Sequence, residues 1–269
     1  MRKFQFYFGA VAAVLAATLL VPISAQAELL QIPTGRGSNI PVYWDKVEGA
    51  TATVVLLQGG DGVVPFSGPG KGGKPKGNNF LTRSFDLFAA QKVNVAVMGA
   101  IDDKGLTYPD RVTDDHTSDL ATVAQAVRSL SPEQPVWLVG TSRGTVSATA
   151  AAIRYAGKPV FDGIVLTSAI VGWKKPQAVT RQSIDKIRIP VLVYMHANDG
   201  CSECQLSDAK GLIGKFKNAP VQAFMAVQGG GDPKGDPCHG QHYHGFIGME
   251  QQAVTDIVGW INKPVALTN

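Results

Sequence analysis

The stretch Val136–Ala152, VWLVGTSRGTVSATAAA, determines how the rest of the chain is interpreted. An apolar run ends at Gly140, Ser142 lies between two glycines, and a run of small residues follows Gly144. Where a strand turns sharply into a helix, the corner residue is strained, and side chains two positions away would collide with the strand or the helix. The pattern therefore predicts a strand–turn–helix unit that presents the Ser142 hydroxyl as a nucleophile. The alternative is an ordinary turn whose serine caps the helix.

A nucleophilic serine needs a base and a group that orients the base. Of the five histidines, three lie in CHGQHYHGF, between the last predicted strand and the last predicted helix. His244 is the best placed of them because that helix follows it closely, and His242 is the second choice. Asp199 follows the apolar run PVLVYMH in a turn, although aspartate is also an ordinary turn residue. The expected order along the chain is therefore Ser142, Asp199, His244.

Acyl transfer also requires hydrogen-bond donors for the oxyanion that develops on the substrate. The backbone amide of Arg143 is one candidate, since it directly follows the predicted nucleophile. The second donor is expected after an earlier strand, where the apolar run in TVVLLQGGDG ends in two glycines. We predict the amide of Gly60 as that donor, with Gly59 as the second choice and a plain glycine turn as the alternative.

Short apolar, β-rich runs alternate with helical patterns, which predicts an α/β fold with a mostly parallel central sheet and helices on both faces. Several runs are apolar throughout, as expected of strands covered on both sides. The first two strands have no helix between them and are expected to form an antiparallel edge. The predicted strands are Leu29–Ile32, Ile40–Trp44, Thr53–Leu57, Val93–Met98, Val136–Val139, Gly163–Thr167, Val191–Met195 and Gln222–Val227. The predicted helices are Phe80–Ala90, Thr117–Leu130, Thr145–Ala152, Ser207–Phe216 and Glu250–Ile261.

Residues 1–27 have the pattern of a signal peptide, because Arg2 and Lys3 precede an apolar run and Ala25-Gln26-Ala27 has the small–x–small form of a cleavage site. An uncleaved membrane anchor is the alternative. Cleavage leaves residues 28–269, which we expect to form a single domain, exported to the periplasm or the medium without stable membrane insertion. Removing Arg2 and Lys3 lowers the formal net charge from +4 to +2, a balance that does not suggest nucleic-acid binding.

The motifs VVLLQGG, GTSRG, HAND and HGF resemble, in kind and in order, those of the α/β-hydrolase fold superfamily. The resemblance covers nearly all of residues 28–269 and implies that Ser142 is the nucleophile, His244 the general base and acid, and Asp199 the group that orients the imidazole. It implies an exported serine hydrolase that cleaves a carboxylic ester or related small acyl substrate without a cofactor. A peptidase or amidase of the same fold and a non-catalytic binding module are the alternatives. Gln58 departs from the family pattern, because many members have histidine at this position.

An exported chain meets an oxidising compartment, which favours a disulfide among its three cysteines. If Asp199 and His244 meet in one site, the loops that carry Cys201 and Cys238 must be neighbours. We therefore predict a Cys201–Cys238 disulfide with Cys204 as the free thiol, and a Cys204–Cys238 bridge is the main alternative. Cys201 and Cys204 also have the C-x-x-C form of a redox pair, but the surroundings are not those of a thioredoxin-like motif.

Three other segments bear on the site. CHGQHYH contains four possible metal ligands, but their spacing matches no established zinc pattern, so no metal is expected. The glycine- and lysine-rich residues 65–79 predict a long surface loop that partly covers the site; they lack the ending of a phosphate-binding loop. The region after Ser168 is too short for a large lid. The four possible metal ligands in CHGQHYH are Cys238, His239, His242 and His244.

Overall fold

The computed structural model of the protein describes Met1, residues 27–68 and residues 73–268. The predicted signal peptide, residues 1–27, therefore lies outside the described residues except for its two ends. Within the described ranges, no helix combines the length and the apolar character that crossing a bilayer requires.

Nine strands form the central sheet of the described chain. In chain order they are β1 (Glu28–Pro33), β2 (Asn39–Asp45), β3 (Thr53–Leu57), β4 (Asn94–Met98), β5 (Val136–Thr141), β6 (Gly163–Thr167), β7 (Val191–His196), β8 (Gln222–Val227) and β9 (Leu267–Thr268). Their order across the sheet is β1-β2-β4-β3-β5-β6-β7-β8-β9. β1 and β4 both pair antiparallel with β2, and all other pairings are parallel. The predicted antiparallel edge and the mostly parallel sheet are confirmed.

All eight predicted strands are present, with ends that differ from the prediction by at most two residues. The five strands β3 to β7 are buried along their whole length, which explains why their sequences are apolar throughout. The sequence pattern does not predict β9, because it has only two residues, both exposed. It is recognisable only from its pairing with Ala223 and Phe224 at the edge of the sheet.

Six α-helices are present in the described chain: α1 (Phe80–Arg83), α2 (Phe85–Ala90), α3 (Asp114–Leu130), α4 (Arg143–Arg154), α5 (Leu206–Lys210) and α6 (Glu250–Asn262). The prediction of one helix over Phe80–Ala90 is wrong, because the backbone at Ser84 leaves the helical conformation and separates α1 from α2. The predicted helix Ser207–Phe216 is too long. Gly214, with φ of +87°, lies outside the helical range, and turns follow α5.

The helices cover both faces of the sheet, as predicted. Along β3, Val55 and Leu57 belong to a buried cluster with residues of α3 and α4. Val54 and Leu56 belong to a second cluster with residues of α1, α2 and α6. This division follows from strand geometry, since successive side chains point to opposite faces. The predicted nucleophile, Ser142, therefore directly follows a strand of a sheet that helices cover on both faces.

The passage from β5 into α4 depends on two glycines. A Cβ atom on Gly144 would lie 2.0 Å from the carbonyl oxygen of Leu57, and one on Gly140 would lie 2.5 Å from the carbonyl oxygen of Gly144. Neither approach is possible for a residue with a side chain. The helix therefore lies against the ends of β3 and β5 only because both positions are glycine, which confirms the collision predicted from the sequence.

We predict opposite effects for two glycine-to-alanine substitutions in helices. Gly144→Ala should lower the free energy of unfolding by at least the roughly 1–3 kcal/mol typical of an over-packed core. Gly259→Ala is the matched control, because the Cβ position of Gly259 in α6 is open. Alanine there should raise the free energy of unfolding by roughly 0.5–1 kcal/mol. Urea titrations followed by circular dichroism measure both, and a Gly144→Ala variant as stable as the parent would contradict the close approach.

Candidate active site

Ser142 forms the corner between β5 and α4. Its backbone has φ of 51° and ψ of −124°, a combination that non-glycine residues rarely adopt and that costs on the order of 1–3 kcal/mol. The Ser142 amide donates to the carbonyl oxygen of Thr167 at the end of β6, at 3.0 Å, and so holds the corner against the neighbouring strand. The side chain makes no capping hydrogen bond to α4. The alternative of an ordinary capping serine is therefore not what the structure shows.

The structure brings Asp199 and His244 together. The Nδ1 atom of His244 donates to Oδ2 of Asp199 at 2.9 Å, and both side chains are almost completely buried. Because Nδ1 carries the proton in this contact, the neutral imidazole has its free lone pair on Nε2. His242 does not take this place: its Nδ1 atom is buried and has no hydrogen-bond partner among the described residues.

Ser142 and His244 line one cavity of about 360 Å³ at the carboxyl edge of the sheet. The Nε2 atom of His244 is buried, and in the described part of the chain it has no hydrogen-bond partner. Buried polar atoms are nearly always paired in proteins, and an exception calls for a functional explanation. Lys76 and Asn79 line the same cavity, so the described part of the glycine-rich loop forms one of its walls.

Two residues that the sequence pattern did not single out hold the turn of His244. The Oγ atom of Ser168 donates to the carbonyl oxygen of His244 at 2.7 Å. Arg83 donates from Nη2 to the carbonyl oxygen of Gly245 at 2.6 Å and is paired with Glu250 at 2.8 Å. Neither residue belongs to a recognisable motif. Ser168 follows directly after a predicted strand that ends at the same edge as the nucleophile, and this position is the one sequence signal that points to it.

The loop after β3 passes directly over the nucleophile corner. A Cβ atom on Gly59 would lie 2.8 Å from Cβ of Ser142, so only glycine allows this approach. Gly60 has φ of +59°, and the amide of Gly62 donates to the carbonyl oxygen of Gly59 at 3.1 Å, which closes a tight turn. The amide of Arg143 lies in the first turn of α4, where backbone N–H groups have no acceptor within the helix. Gly60 and Ser142 thus line the same cavity, and Arg143 follows Ser142 as the first residue of α4.

Gln58, which departs from the family pattern, braces the same loop. Its Nε2 atom donates to the carbonyl oxygen of Val63, and its Oε1 atom accepts a hydrogen bond from Oγ1 of Thr82 at 2.7 Å. The side chain therefore ties the loop after β3 both to itself and to α1. Glutamine at this position keeps the loop in place over Ser142.

Two other histidines have structural partners. His196 contacts the carbonyl oxygen of Gly229 through Nε2 at 3.0 Å, and burial lowers its pKa although the carbonyl acts in the opposite direction. His116 contacts Oγ of Ser147 at 2.9 Å, and burial together with the charge of Arg111 lowers its pKa to about 4. Both imidazoles are therefore neutral at pH 7 and committed to these hydrogen bonds.

Cys201 and Cys238 form a disulfide, with their Cα atoms 4.6 Å apart. This is the predicted pairing, and it joins the loop of Asp199 to the loop of His244. Cys204 is a free and buried thiol, also as predicted. Burial and the neighbouring Asp199 carboxylate raise the pKa of Cys204, so this thiol is protonated at neutral pH and unsuited to redox catalysis.

The possible metal ligands of CHGQHYH do not form one group. Among the described residues, the side chains of Cys201, Cys204 and His244 are those close enough to share an ion, with ligand atoms within 4.8 Å of one another. The Sγ atom of Cys201 is bonded to Cys238, so it is not a thiolate ligand while the disulfide is intact. The same bond is incompatible with a Cys201–Cys204 redox pair.

A polar cluster holds the side chain that follows Ser142. The guanidinium of Arg143 lies 4.8 Å from the ring centre of Tyr108, and the ammonium of Lys175 lies 5.2 Å from it. The Tyr108 hydroxyl donates to Glu203, which also pairs with Lys175 at 2.7 Å. Burial acts to raise the pKa of Glu203, but the hydrogen bonds from Lys175 and Tyr108 outweigh it, and the pKa lies below its ordinary value. Arg143 is therefore fixed through its side chain as well as by its place in α4.

Part of the sequence is similar to a family of hydrolases. The family model described as serine aminopeptidase, S33, matches residues 103–210. That range contains Ser142 and Asp199 and ends before His244. No curated protein matches the chain in sequence.

Several solved structures share the fold at low sequence identity. An α/β serine hydrolase without lid from Xanthomonas campestris is 15% identical, with a TM-score of 0.56 over 86% of this chain and 95% of its own. An esterase from Pyrococcus furiosus is 13% identical, with a TM-score of 0.60 over 89% of this chain and 91% of its own. A cold-adapted esterase from an Arctic intertidal metagenomic library is 13% identical, with a TM-score of 0.56 over 89% and 93%. The protein therefore has the α/β-hydrolase fold that its motifs predicted.

We predict that the double variant Cys201→Ala/Cys238→Ala is markedly less stable than the parent. The disulfide closes a loop with a sequence separation of 37, for which chain entropy gives roughly 3–4 kcal/mol of stabilisation. Cys204→Ala is the matched control, because it removes a buried thiol without touching the bridge and should cost roughly 1 kcal/mol. Urea titrations measure the difference, and non-reducing peptide mapping checks the pairing. A Cys201–Cys204 crosslink, or three free thiols in oxidised protein, would refute it.

Proposed function

We propose that the protein is a serine hydrolase that cleaves a carboxylic ester of a small acyl substrate through an acyl-enzyme. The observation that carries the proposal is the hydrogen bond between Asp199 and His244, at a cavity that Ser142 also lines. A buried carboxylate that orients an imidazole near a strained serine is the arrangement that activates a hydroxyl as a nucleophile. The fold, and the esterases that share it, favour the same reaction class.

Each group has a defined task in the proposed reaction. Nε2 of His244 takes the proton of Ser142 as Oγ attacks the substrate carbonyl, and Asp199 stabilises the imidazolium that forms. The amides of Gly60 and Arg143 donate to the oxyanion. His244 then gives its proton to the departing alcohol, which leaves the acyl group on Ser142. A water molecule, activated by the same imidazole, attacks the acyl-enzyme and releases the acid.

The surroundings of the site favour a short, water-soluble substrate. Residues 168–190, between β6 and β7, contain two 3₁₀ turns and no α-helix, so no large lid covers the site from this side. The similar hydrolase from Xanthomonas campestris is also described as lidless. The cavity wall includes the ionisable side chains of Asp61, Lys76 and His239, which would be poor partners for a long alkyl chain.

Peptide or amide hydrolysis is the second candidate, because the matching family model is described as a serine aminopeptidase. An aminopeptidase needs an anion to bind the α-ammonium group of its substrate. Asp61 is the one carboxylate among the described residues that line the cavity. Turnover of p-nitrophenyl acetate and of alanine p-nitroanilide, compared in the parent and in Asp61→Asn, separates the candidates. Amide turnover that depends on Asp61 would favour the aminopeptidase.

We predict that Ser142→Ala abolishes both turnover of short p-nitrophenyl esters and labelling by a fluorophosphonate probe. The loss in kcat should be on the order of 10⁶ for Ser142→Ala and on the order of 10⁴ for Asp199→Asn, because members of a triad do not contribute additively. His244→Ala should lie close to Ser142→Ala. Steady-state kinetics measures these losses, with circular dichroism to verify the fold.

His242→Ala is the matched control for the base, since His242 lies in the same loop and its Nδ1 atom has no hydrogen-bond partner in the described structure. It should keep most of the activity. An inactive His242→Ala with an active His244→Ala would transfer the role to His242, and labelling that survives Ser142→Ala would refute the nucleophile. A parent protein that the probe does not label would favour a non-catalytic binding module.

We further propose that residues 1–27 are removed on export and that residues 28–269 form one catalytic domain. The Cys201–Cys238 disulfide supports an oxidising compartment. The predicted cleavage site ends at Ala27, and Glu28 is the first residue of β1. Cleavage there would leave the edge strand of the sheet complete.

The mature protein is accordingly expected to begin at Glu28. Intact-mass measurement of protein from the periplasm or the medium tests this. Ala27→Leu, which removes the small residue at the cleavage position, should instead leave the unprocessed chain in the membrane fraction. Finding the parent protein at full-length mass in the membrane fraction would show that residues 1–27 are an anchor.

A further inference from the structure

Arg111 is a buried cation whose presence the proposed chemistry does not yet explain. It is 2% exposed, and none of the ion pairs among the described residues involves it. Its Nε atom also has no hydrogen-bond partner in the described structure. Burial and the charge of Arg143 lower the pKa of Arg111 to about 10, so it remains charged at neutral pH. Charged side chains are almost never fully buried without a paired opposite charge. The presence of this one in the core therefore calls for an explanation.

The two hydrogen bonds of Arg111 connect the two halves of the predicted oxyanion site. Nη2 donates to the carbonyl oxygen of Gly60 at 3.0 Å, and Nη1 donates to Oγ of Ser147 at 3.0 Å. Gly60 belongs to the loop that passes over the nucleophile. Ser147 belongs to α4, the helix that begins directly after Ser142 and carries the second predicted donor. The guanidinium is therefore a bridge between the loop and the helix.

The contact with Gly60 restrains the second of the two peptide units that meet at the Gly60 Cα atom. The amide of Gly60 belongs to the peptide unit whose carbonyl, that of Gly59, accepts from the amide of Gly62 at 3.1 Å. The next peptide unit, on the other side of the Gly60 Cα atom, is the one that Arg111 holds through its carbonyl. Glycine has the widest choice of backbone conformations, so both peptide planes must be held for the amide to keep its direction.

The other end of the bridge is also ordered. Ser147 is 1% exposed, and its hydroxyl lies 2.9 Å from Nε2 of His116. Because the lowered pKa keeps His116 neutral, Nε2 can accept the hydroxyl proton, and the oxygen of Ser147 then presents its lone pair to Arg111. The chain of hydrogen bonds from His116 through Ser147 to Arg111 thus fixes the direction of the guanidinium.

We propose that Arg111 is a positioning residue of the hydrolytic reaction, which holds the Gly60 carbonyl at a fixed distance from α4 and thereby aims the Gly60 amide at the oxyanion. This inference rests on the proposed function. It explains why a cation without a carboxylate partner is retained in the core: the guanidinium restrains the donor without offering a negative charge that would repel the oxyanion.

The effect should fall on the transition state and not on substrate binding. Loss of a whole oxyanion donor costs about 10²–10³ in kcat, and an amide that is present but badly aimed should cost roughly 10- to 100-fold. KM should change little, because the contact with the oxyanion forms only as the carbonyl oxygen gains charge.

The experiment compares Arg111→Met, Arg111→Lys and Arg128→Met in ester turnover and thermal unfolding. Methionine has a similar shape, and replacing an unpaired buried charge by an apolar side chain is often neutral or stabilising. Arg128 is the matched control, because it pairs with Asp162 at 2.7 Å at the opposite edge of the sheet. Affinity for an aryl trifluoromethyl ketone is measured for each variant, because the serine oxygen adds to its carbonyl carbon and the resulting adduct carries an oxyanion.

The proposal expects Arg111→Met to lose roughly 10- to 100-fold in kcat, with KM and Tm close to the parent values. Affinity for the ketone should fall by the same factor as kcat/KM, Arg111→Lys should retain more activity than Arg111→Met, and Arg128→Met should have normal kinetics. Parental kcat in Arg111→Met, or a loss confined to KM or Tm, would overturn it. If Arg111→Met does not fold, Ser147→Ala and Arg111→Lys decide, since parental kcat in both would also overturn it. Turnover that survives Ser142→Ala would instead show that the proposed function itself has failed.

Discussion

The distance between α4 and the ends of the two strands beside it is the constraint on which the site depends. The helix can approach the carbonyl oxygen of Leu57 only because Gly144 has no Cβ atom, and this approach forces Ser142 into a strained backbone conformation. The strain is small compared with the burial of five strands on both faces of the sheet. The sheet can therefore hold a corner that an isolated loop would relax.

Parallel strands end at one edge, and this edge gathers the rest of the site. The loop after β3 supplies Gly60 and the loop after β7 supplies Asp199, while His244 comes from the segment after β8. Residues of these segments belong to the two buried clusters, and local bonds join the segments further. The disulfide and the Asp199–His244 contact connect two of them, and Ser168, at the end of β6, holds the carbonyl of His244. Such cross-links preorganise groups that lie far apart in sequence, which is where an enzyme gains most from a fixed geometry.

The polar groups behind the nucleophile are organised by hydrogen bonds with few ion pairs. Arg111, Ser147 and His116 form a continuous chain of contacts, and Cys204 donates to the carbonyl oxygen of Ser168. In a buried environment such bonds are strong and directional, whereas a carboxylate near the oxyanion would oppose the charge that develops there. Of the carboxylates close to the site, Asp199 binds His244 and Glu203 binds Tyr108 and Lys175, while Asp61 lies in the cavity wall.

The sequence alone determined the features that depend on local pattern. Continuous apolar runs located eight strands, and glycine spacing located the corner at Ser142 and the loop at Gly60, because strand burial and a tight turn restrict residue types at fixed positions. The order of the motifs along the chain, and the expectation that loops after parallel strands meet at one edge of the sheet, predicted Asp199, His244 and the Cys201–Cys238 disulfide. The tertiary structure decided what depends on contacts between distant segments. The break at Ser84, the two-residue strand β9, and the contacts of Arg83 and Arg111 leave no local signature. An isolated arginine or serine in a polar stretch has the same sequence pattern whether it faces solvent or holds a catalytic loop, and only the partner that folding places against it tells the two apart.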